Sequence, residues 1–137
     1  MKLQQSTLLG LYAVVELAKA DGEQRSAAVI ADKFDVSINH LAKVLRILVR
    51  AGHLQAARGA GGGYRYSGNA KRTTLMDVIE LFEPVSIEGF EHRDSPHHTD
   101  IEAGLAVALT EISEMMQATL RSITIRTMLK IMKKSRA

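Results

Sequence analysis

A chain of 137 residues suits one domain, or one domain with an extension, and is long enough to bury a modest core. It contains no cysteine, which excludes disulfides, thiolate metal ligands and thiol redox sensing. No signal peptide and no run long enough to span a bilayer is visible, so a soluble, cytoplasmic protein with no membrane partner is expected. The formal charge of +3 is mild but uneven: residues 1–72 hold 11 Lys/Arg against 5 Asp/Glu, residues 73–114 hold one (Arg93) against 10, and from Met115 onward there are 6 basic residues and no acid. An N-terminal part of this character is suited to face a polyanion.

In chain order, Leu8, Leu9, Tyr12, Val15 and Leu17 predict a helix over Ser6 to Ala20, broken at Asp21-Gly22. Ser26 then caps a short helix reaching Phe34, with Ala28, Ile30, Ala31 and Phe34 available for burial. The turn Phe34-Asp35-Val36 leads into a second cap, Ser37, and a helix opening at Ile38 that Ala51-Gly52 stops. Leu41, Val44, Leu45 and Leu48 recur at the spacing of one buried face, while Asn39, Lys43, Arg46 and Arg50 share the opposite one, with His40 beside them. Amide and guanidinium groups fork onto base edges and ammonium groups neutralise phosphates, so this inventory suits a helix entering the major groove. An ordinary solvated face of an amphipathic helix would carry a similar set. Two short helices joined by a tight turn, the second cationic, form a helix-turn-helix.

His53 to Arg58 reads as a strand, Gly59 to Gly63 as a turn able to adopt positive φ, and Tyr64 to Ser67 as the returning strand. Arg58 and Arg65 flank glycines that allow close backbone approach, as in a wing against phosphates or the minor groove. From Val36 to Met76 there are seven Lys/Arg and no Asp/Glu, which an incidental hairpin or a protein-docking surface has little reason to show. The expected architecture is therefore mainly α with a small β-hairpin: a winged helix-turn-helix over residues 1–84, an acidic, histidine-bearing loop over 85–100, and C-terminal dimerisation helices over 101–137.

Within that scheme, Thr74 with Asp77 is a weaker capping box starting a helix LMDVIELFE that Pro84 ends, and Thr99 with Glu102 is a better one. From Ile101 the apolar positions Leu105, Leu109, Ile112, Met115 or Met116, Leu120 and Ile123 form a seam over about six turns, for which a second copy of the same helix is a symmetric partner and packing within one chain the alternative. A short last helix, Ile125 to Met132, carries a basic tail. In the loop, His92, Asp94, His97, His98 and Asp100 offer imidazole and carboxylate for zinc or nickel, but their spacing matches no helix-borne ligand pair and exposed loop histidines have the same appearance. No metal or other cofactor is assigned. Enzyme readings fail: the glycine run lacks the Gly-Lys-Ser/Thr of a phosphate loop and the last glycine of a dinucleotide fingerprint, and no thiol nucleophile exists. A winged helix used as a protein-interaction module and a metal-responsive regulator remain as alternatives.

The segment SINHLAKVLRILVRAGHLQAARGAGGGYR resembles the signature of the Rrf-two family of bacterial winged-helix regulators, to which IscR, NsrR, RirA and CymR belong. That signature runs Ser-x-x-Tyr-Leu, then Ala-Gly-Leu, then Arg-Gly-Pro-Gly-Gly-Gly-Tyr. Here stand Ser37, His40 and Leu41, then Ala51, Gly52 and His53, then Arg58, Gly59, Ala60, Gly61, Gly62, Gly63 and Tyr64. GLYAVVELA, DVIELFEP and LRSITIRTML are similar in position, so the resemblance covers nearly the whole chain. It implies a homodimeric regulator of double-stranded DNA, usually a repressor, with Ser37, Asn39, His40 and Lys43 at the base-reading end and Arg58, Gly59, Ala60 and Gly61 in the wing. His40 for Tyr and Ala60 for Pro depart from the family pattern, so the operator sequence does not carry over. Members holding an iron–sulfur cluster do so through three cysteines ahead of the long helix; here Ala103-Gly104-Leu105-Ala106 stands where the last would fall, and Leu8 or Tyr12 where some members use N-terminal ligands. The resemblance is thus to a cluster-free branch, for which a small molecule, a partner protein and no recognised signal are the alternatives.

Overall fold

The structure, a computed structural model, describes residues 2–59, 61–87 and 99–136. Its elements are α1 (Gln5–Lys19), α2 (Ala27–Phe34), α3 (Ile38–Arg50), β1 (Leu54–Ala57), β2 (Gly63–Tyr66), α4 (Leu75–Ile79), α5 (Asp100–Ser122) and α6 (Ile125–Ser135).

The cap hydroxyls accept at the helix starts that the sequence predicts. Ser26 accepts from Val29 N, Ser37 from His40 N, and Thr99 from Glu102 N, each satisfying a helix-end donor that would otherwise lack a partner. Thr74 and Asp77 form a fully reciprocal capping box rather than a weak one. Asp35 takes the left-handed conformation (φ 52°), turning the chain between α2 and α3.

The core lies where α1, α2, α3 and β1 meet. Leu9, Ala13, Val14 and Leu17 of α1 pack with Ile30 of α2, with Leu41, Val44, Leu45 and Leu48 of α3, and with Leu54 of β1, all buried. The predicted α1 face needs correction at Tyr12. It is 48 % exposed and stacks on Phe34 with ring centroids 5.3 Å apart, because the buried stripe runs through Ala13 and Val14 instead. Ala28 of α2 is likewise exposed.

The hairpin pairs antiparallel, Leu54 with Tyr66 and Ala57 with Gly63, so Gly63 belongs to a strand and not to the turn. Arg25 adds a short third rung: its N–H donates to Tyr64 O at 2.9 Å and its carbonyl accepts from Tyr64 N at 2.8 Å. α4 is shorter than the predicted LMDVIELFE. After Ile79 the chain tightens into turns, with Leu81 N donating to Val78 O and Phe82 N to Ile79 O, and Pro84 disfavours helix at Glu83.

The long α5 is anchored on one side only. Met116 and Leu120 pack on Met76, Ile79 and Val85, Gln117 Nε2 donates to Val85 O at 2.7 Å, and the buried Ser113 accepts from Ile87 N. α6 then returns to the head: Leu75 N donates to Ile123 O, Ile125 N to Thr73 O and Arg126 N to Ala70 O, and Ile125 is fully buried in the main core. Its helix extends to Ser135, beyond the predicted Met132.

A Cβ on Gly63 would lie 2.5 Å from the Arg25 carbonyl oxygen, a backbone atom that cannot swing aside. Gly63→Ala is expected to lower unfolding free energy by about 1–3 kcal/mol, read as a reduced denaturant midpoint; an unchanged midpoint would show that the Arg25 rung is dispensable. Burial lowers the His53 imidazole below its ordinary value of 6.5 and outweighs the charge of Asp77, which pulls the other way. As pH falls below that value the unfolded chain takes up the proton first, so stability is full above it and declines as pH drops through the folded value. The melting temperature is expected to fall between about pH 7.5 and about pH 5.5, and less so in His53→Leu; identical slopes would exclude His53 as the titrating group.

Candidate nucleic-acid interface

α3 advances about 100° per residue, so burial of Leu41, Val44, Leu45 and Leu48 forces Asn39, Lys43, Arg46 and Arg50 to the opposite side. All four are exposed. Among the described residues none of Lys43, Arg46 and Arg50 forms an ion pair, and Ser37 is exposed at the N-terminal end. The result is a ridge of cations and one amide with no described carboxylate paired to it.

His40 stands apart from that ridge. It lies at the boundary of the two faces, half-buried, with Nε2 3.2 Å from Ser6 Oγ in the first turn of α1. A contact between residues 34 positions apart ties the start of the reading helix to α1. The N-terminus of α1 is itself capped from a distance: Gln4 supplies no side-chain cap, and the buried Glu83 carboxylate accepts from Gln4 N at 2.7 Å and from the buried Thr7 hydroxyl. Sequence spacing holds no signal for either contact.

The wing continues the basic surface. Arg58 is exposed and unpaired among the described residues. Gly59 (φ 96°) and Gly61 (φ 84°) take the left-handed conformation needed by the turn, closed by Gly62 N donating to Gly59 O at 2.8 Å. Ala60 lies outside the described residues. Arg65 is engaged across the hairpin, its Nε and an Nη donating to Gln55 Oε1, which fixes the guanidinium without an ion pair among the described residues. Burial raises the Tyr66 phenol above its ordinary value, so it remains a neutral support beneath the ribbon.

Three exposed apolar residues of the helix-turn-helix lie outside the sequence expectation: Ile38 and Ile47 on α3, 53 % and 38 % exposed, and Val29 on α2, 55 % exposed. The available signal is their position off the buried spacing of their helices.

The predicted α5 seam divides into two faces. Met116 and Leu120 are half-buried within the chain, and Leu109 is half-buried. Ile101, Leu105 and Ile112 project outward, 73 %, 53 % and 45 % exposed, together with Met115.

The sequence matches the family profile described as "Rrf2: Iron-dependent Transcriptional regulator" over residues 3–131. A helix-turn-helix-type transcriptional regulator of Rhodopseudomonas palustris, BadM, is 50 % identical over 131 residues, covering 96 % of this chain and 83 % of its own. CymR, the global cysteine regulator of B. subtilis, superposes with a TM-score of 0.78 at 26 % identity, covering 96 % of this chain and 98 % of that one. IscR of T. potens shares the fold, with a TM-score of 0.78 at 22 % identity over 100 % of this chain and 92 % of that one.

The iron in the family description finds no fitting donors in an iron–sulfur arrangement. Such clusters are held chiefly by thiolates, and the chain has none. The first turns of α5 present Ala103, Gly104, Leu105 and Ala106, and on α1 Leu8 is half-buried and apolar while Tyr12 is stacked on Phe34. No group of three or more His, Cys, Asp or Glu able to hold a metal occurs among the described residues; His92, His97 and His98 lie outside them. No helix among the described residues is long and apolar enough to cross a membrane. Since the profile leaves only the two ends of the chain unmatched and a relative shares half its residues, the protein belongs to the Rrf2 family, which are transcriptional regulators and not enzymes.

Proposed function

We propose that the protein is a cytoplasmic, homodimeric repressor that reads an inverted repeat in double-stranded DNA without an iron–sulfur cluster. The observation that carries this reading is the uncompensated ridge of α3, continued by Arg58 of the wing. In this arrangement Ser37, Asn39, His40 and Lys43 approach base edges, and Ile38 offers an apolar contact for a thymine methyl. Arg46, Arg50, Arg58 and Arg65 bind phosphates or the minor groove, and Gly59, Ala60 and Gly61 let the wing backbone come close.

The dimer is supported by the outward face of α5. Ile101, Leu105, Ala108, Ile112 and Met115 are exposed and spaced four, three, four and three apart, the alternation of a two-helix seam. Met116 and Leu120 complete the helix's apolar set from the side that rests on its own chain, and Leu109 is half-buried between the two faces. Two copies paired through this stripe would present two reading helices to two half-sites, multiplying the discrimination that one helix achieves. Residues 1–84 then serve as the reading head, 85–100 as the connection, and 101–137 as the pairing helices, with α6 folding back onto the head.

Selection of bound sequences from a randomised duplex pool at two salt concentrations tests the reading, with an enriched inverted repeat as the expected result. On the selected site, Arg58→Ala is expected to weaken binding to all sequences and to reduce the salt slope by about one, whereas Asn39→Ala relaxes preference at one position by about 1–3 kcal/mol. Equal losses on specific and random DNA for both variants would contradict that division of roles. Leu105→Asp combined with Ile112→Asp should yield a folded monomer in sedimentation that has lost the selected site; a variant that remains dimeric would place the interface elsewhere.

A further inference from the structure

Where the C-terminal end of α1 meets α6, a cleft of about 320 Å³ opens. Its floor is apolar: Ala18 belongs to the main core, Leu129 packs against that core, and the half-buried Met132 supplies a soft, adaptable surface. Its rim is cationic: Lys19 from α1 and Lys133 and Arg136 from the end of α6 are all exposed. Asp21 also lines the cleft, but none of the three cations is ion-paired among the described residues. Three uncompensated cations against one carboxylate leave this corner with a net attraction for an anion.

From this arrangement we infer that the cleft binds a small amphipathic monocarboxylate, its aliphatic body on Leu129 and Met132 and its carboxylate among Lys19, Lys133 and Arg136. The volume stands at the lower end of the roughly 300–1,000 Å³ of small-molecule sites, room for a medium-chain acid but tight for a nucleotide cofactor. An apolar floor beneath a cationic rim is complementary to such a ligand in both shape and charge. Neither a neutral alcohol nor an organic cation satisfies both parts.

The position of the cleft gives the ligand a lever. A bound acid would bridge α1 to α6, and α6 is stitched to the segment before α4 through Ile125 N to Thr73 O and Arg126 N to Ala70 O. The far end of α1, about 22 Å away along a 15-residue helix, carries the Ser6 contact to His40 at the start of the reading helix. The ligand is therefore placed to act as the effector of the regulator described above; that role rests on the DNA-binding reading, whereas occupancy of the cleft does not.

Calorimetric titration of octanoate into the full chain, without DNA, tests the site. Saturable binding at one site per chain is expected, tightening about fourfold per methylene from hexanoate to decanoate. It should weaken about two- to fivefold in Lys19→Gln or Lys133→Gln, surface changes that leave the core untouched. Absence of saturable binding, octanol binding as tightly as octanoate, or unchanged affinity in the double variant would each overturn the inference. Repeating the measurement of operator affinity with saturating octanoate is expected to shift it several-fold in the wild type and not in the double variant; octanoate bound without any shift would remove the effector role. A chain that binds octanoate but no specific DNA keeps the site and loses the regulator reading, and one that binds its operator but not octanoate does the reverse.

Discussion

Burial of one face of α3 is the constraint on which the rest of the molecule depends. Leu41, Val44, Leu45 and Leu48 are each at most 2 % exposed, and burying side chains of this size contributes about 1.5–3 kcal/mol apiece. Because a helix turns rigidly, that burial dictates the opposite face as firmly as its own, and the ridge of Asn39, Lys43, Arg46 and Arg50 is held outward by the packing beneath it. The same core places the wing. α3 stops at Gly52 (φ 85°), and Leu54, also buried, carries the first strand out of the same cluster.

α1 is the frame against which this helix is set. Its N-terminus lacks a side-chain cap from its own segment and receives a carboxylate from Glu83, where anionic groups are favoured by the unsatisfied N–H groups and the helix dipole. The first turn so fixed also contacts His40 through Ser6. The segment leading toward α5 and the start of the reading helix thus meet at the same turn, giving the head a physical connection to whatever acts on the C-terminal helices.

α5 illustrates how one apolar pattern serves two purposes. A 23-residue helix with apolar residues on more than one side buries only Ser113 fully, while Met116 and Leu120 rest on α4 and Ile101, Leu105, Ile112 and Met115 face outward. A solitary chain leaves that outward stripe in water, which is unfavourable for so many large apolar groups along a single helix.

The local grammar of the chain is legible in its amino-acid sequence. Hydrophobic spacing locates α1, α3 and α5; Ser26, Ser37, Thr74 and Thr99 mark helix starts; and the glycine run marks the wing turn. Each is decided by interactions within a few residues: a cap hydroxyl and the N–H three positions on, a periodic face, a φ that glycine adopts without steric cost. The family resemblance rests on the same short segments. By contrast, the Glu83 cap on Gln4 and Thr7, the Arg25 rung on Tyr64, the Ser6 contact to His40 and the division of α5 into two faces are decided only by the tertiary structure. These contacts join residues tens of positions apart, or select one of two apolar helix faces by what happens to pack beneath it, and no local periodicity encodes which distant surface that will be.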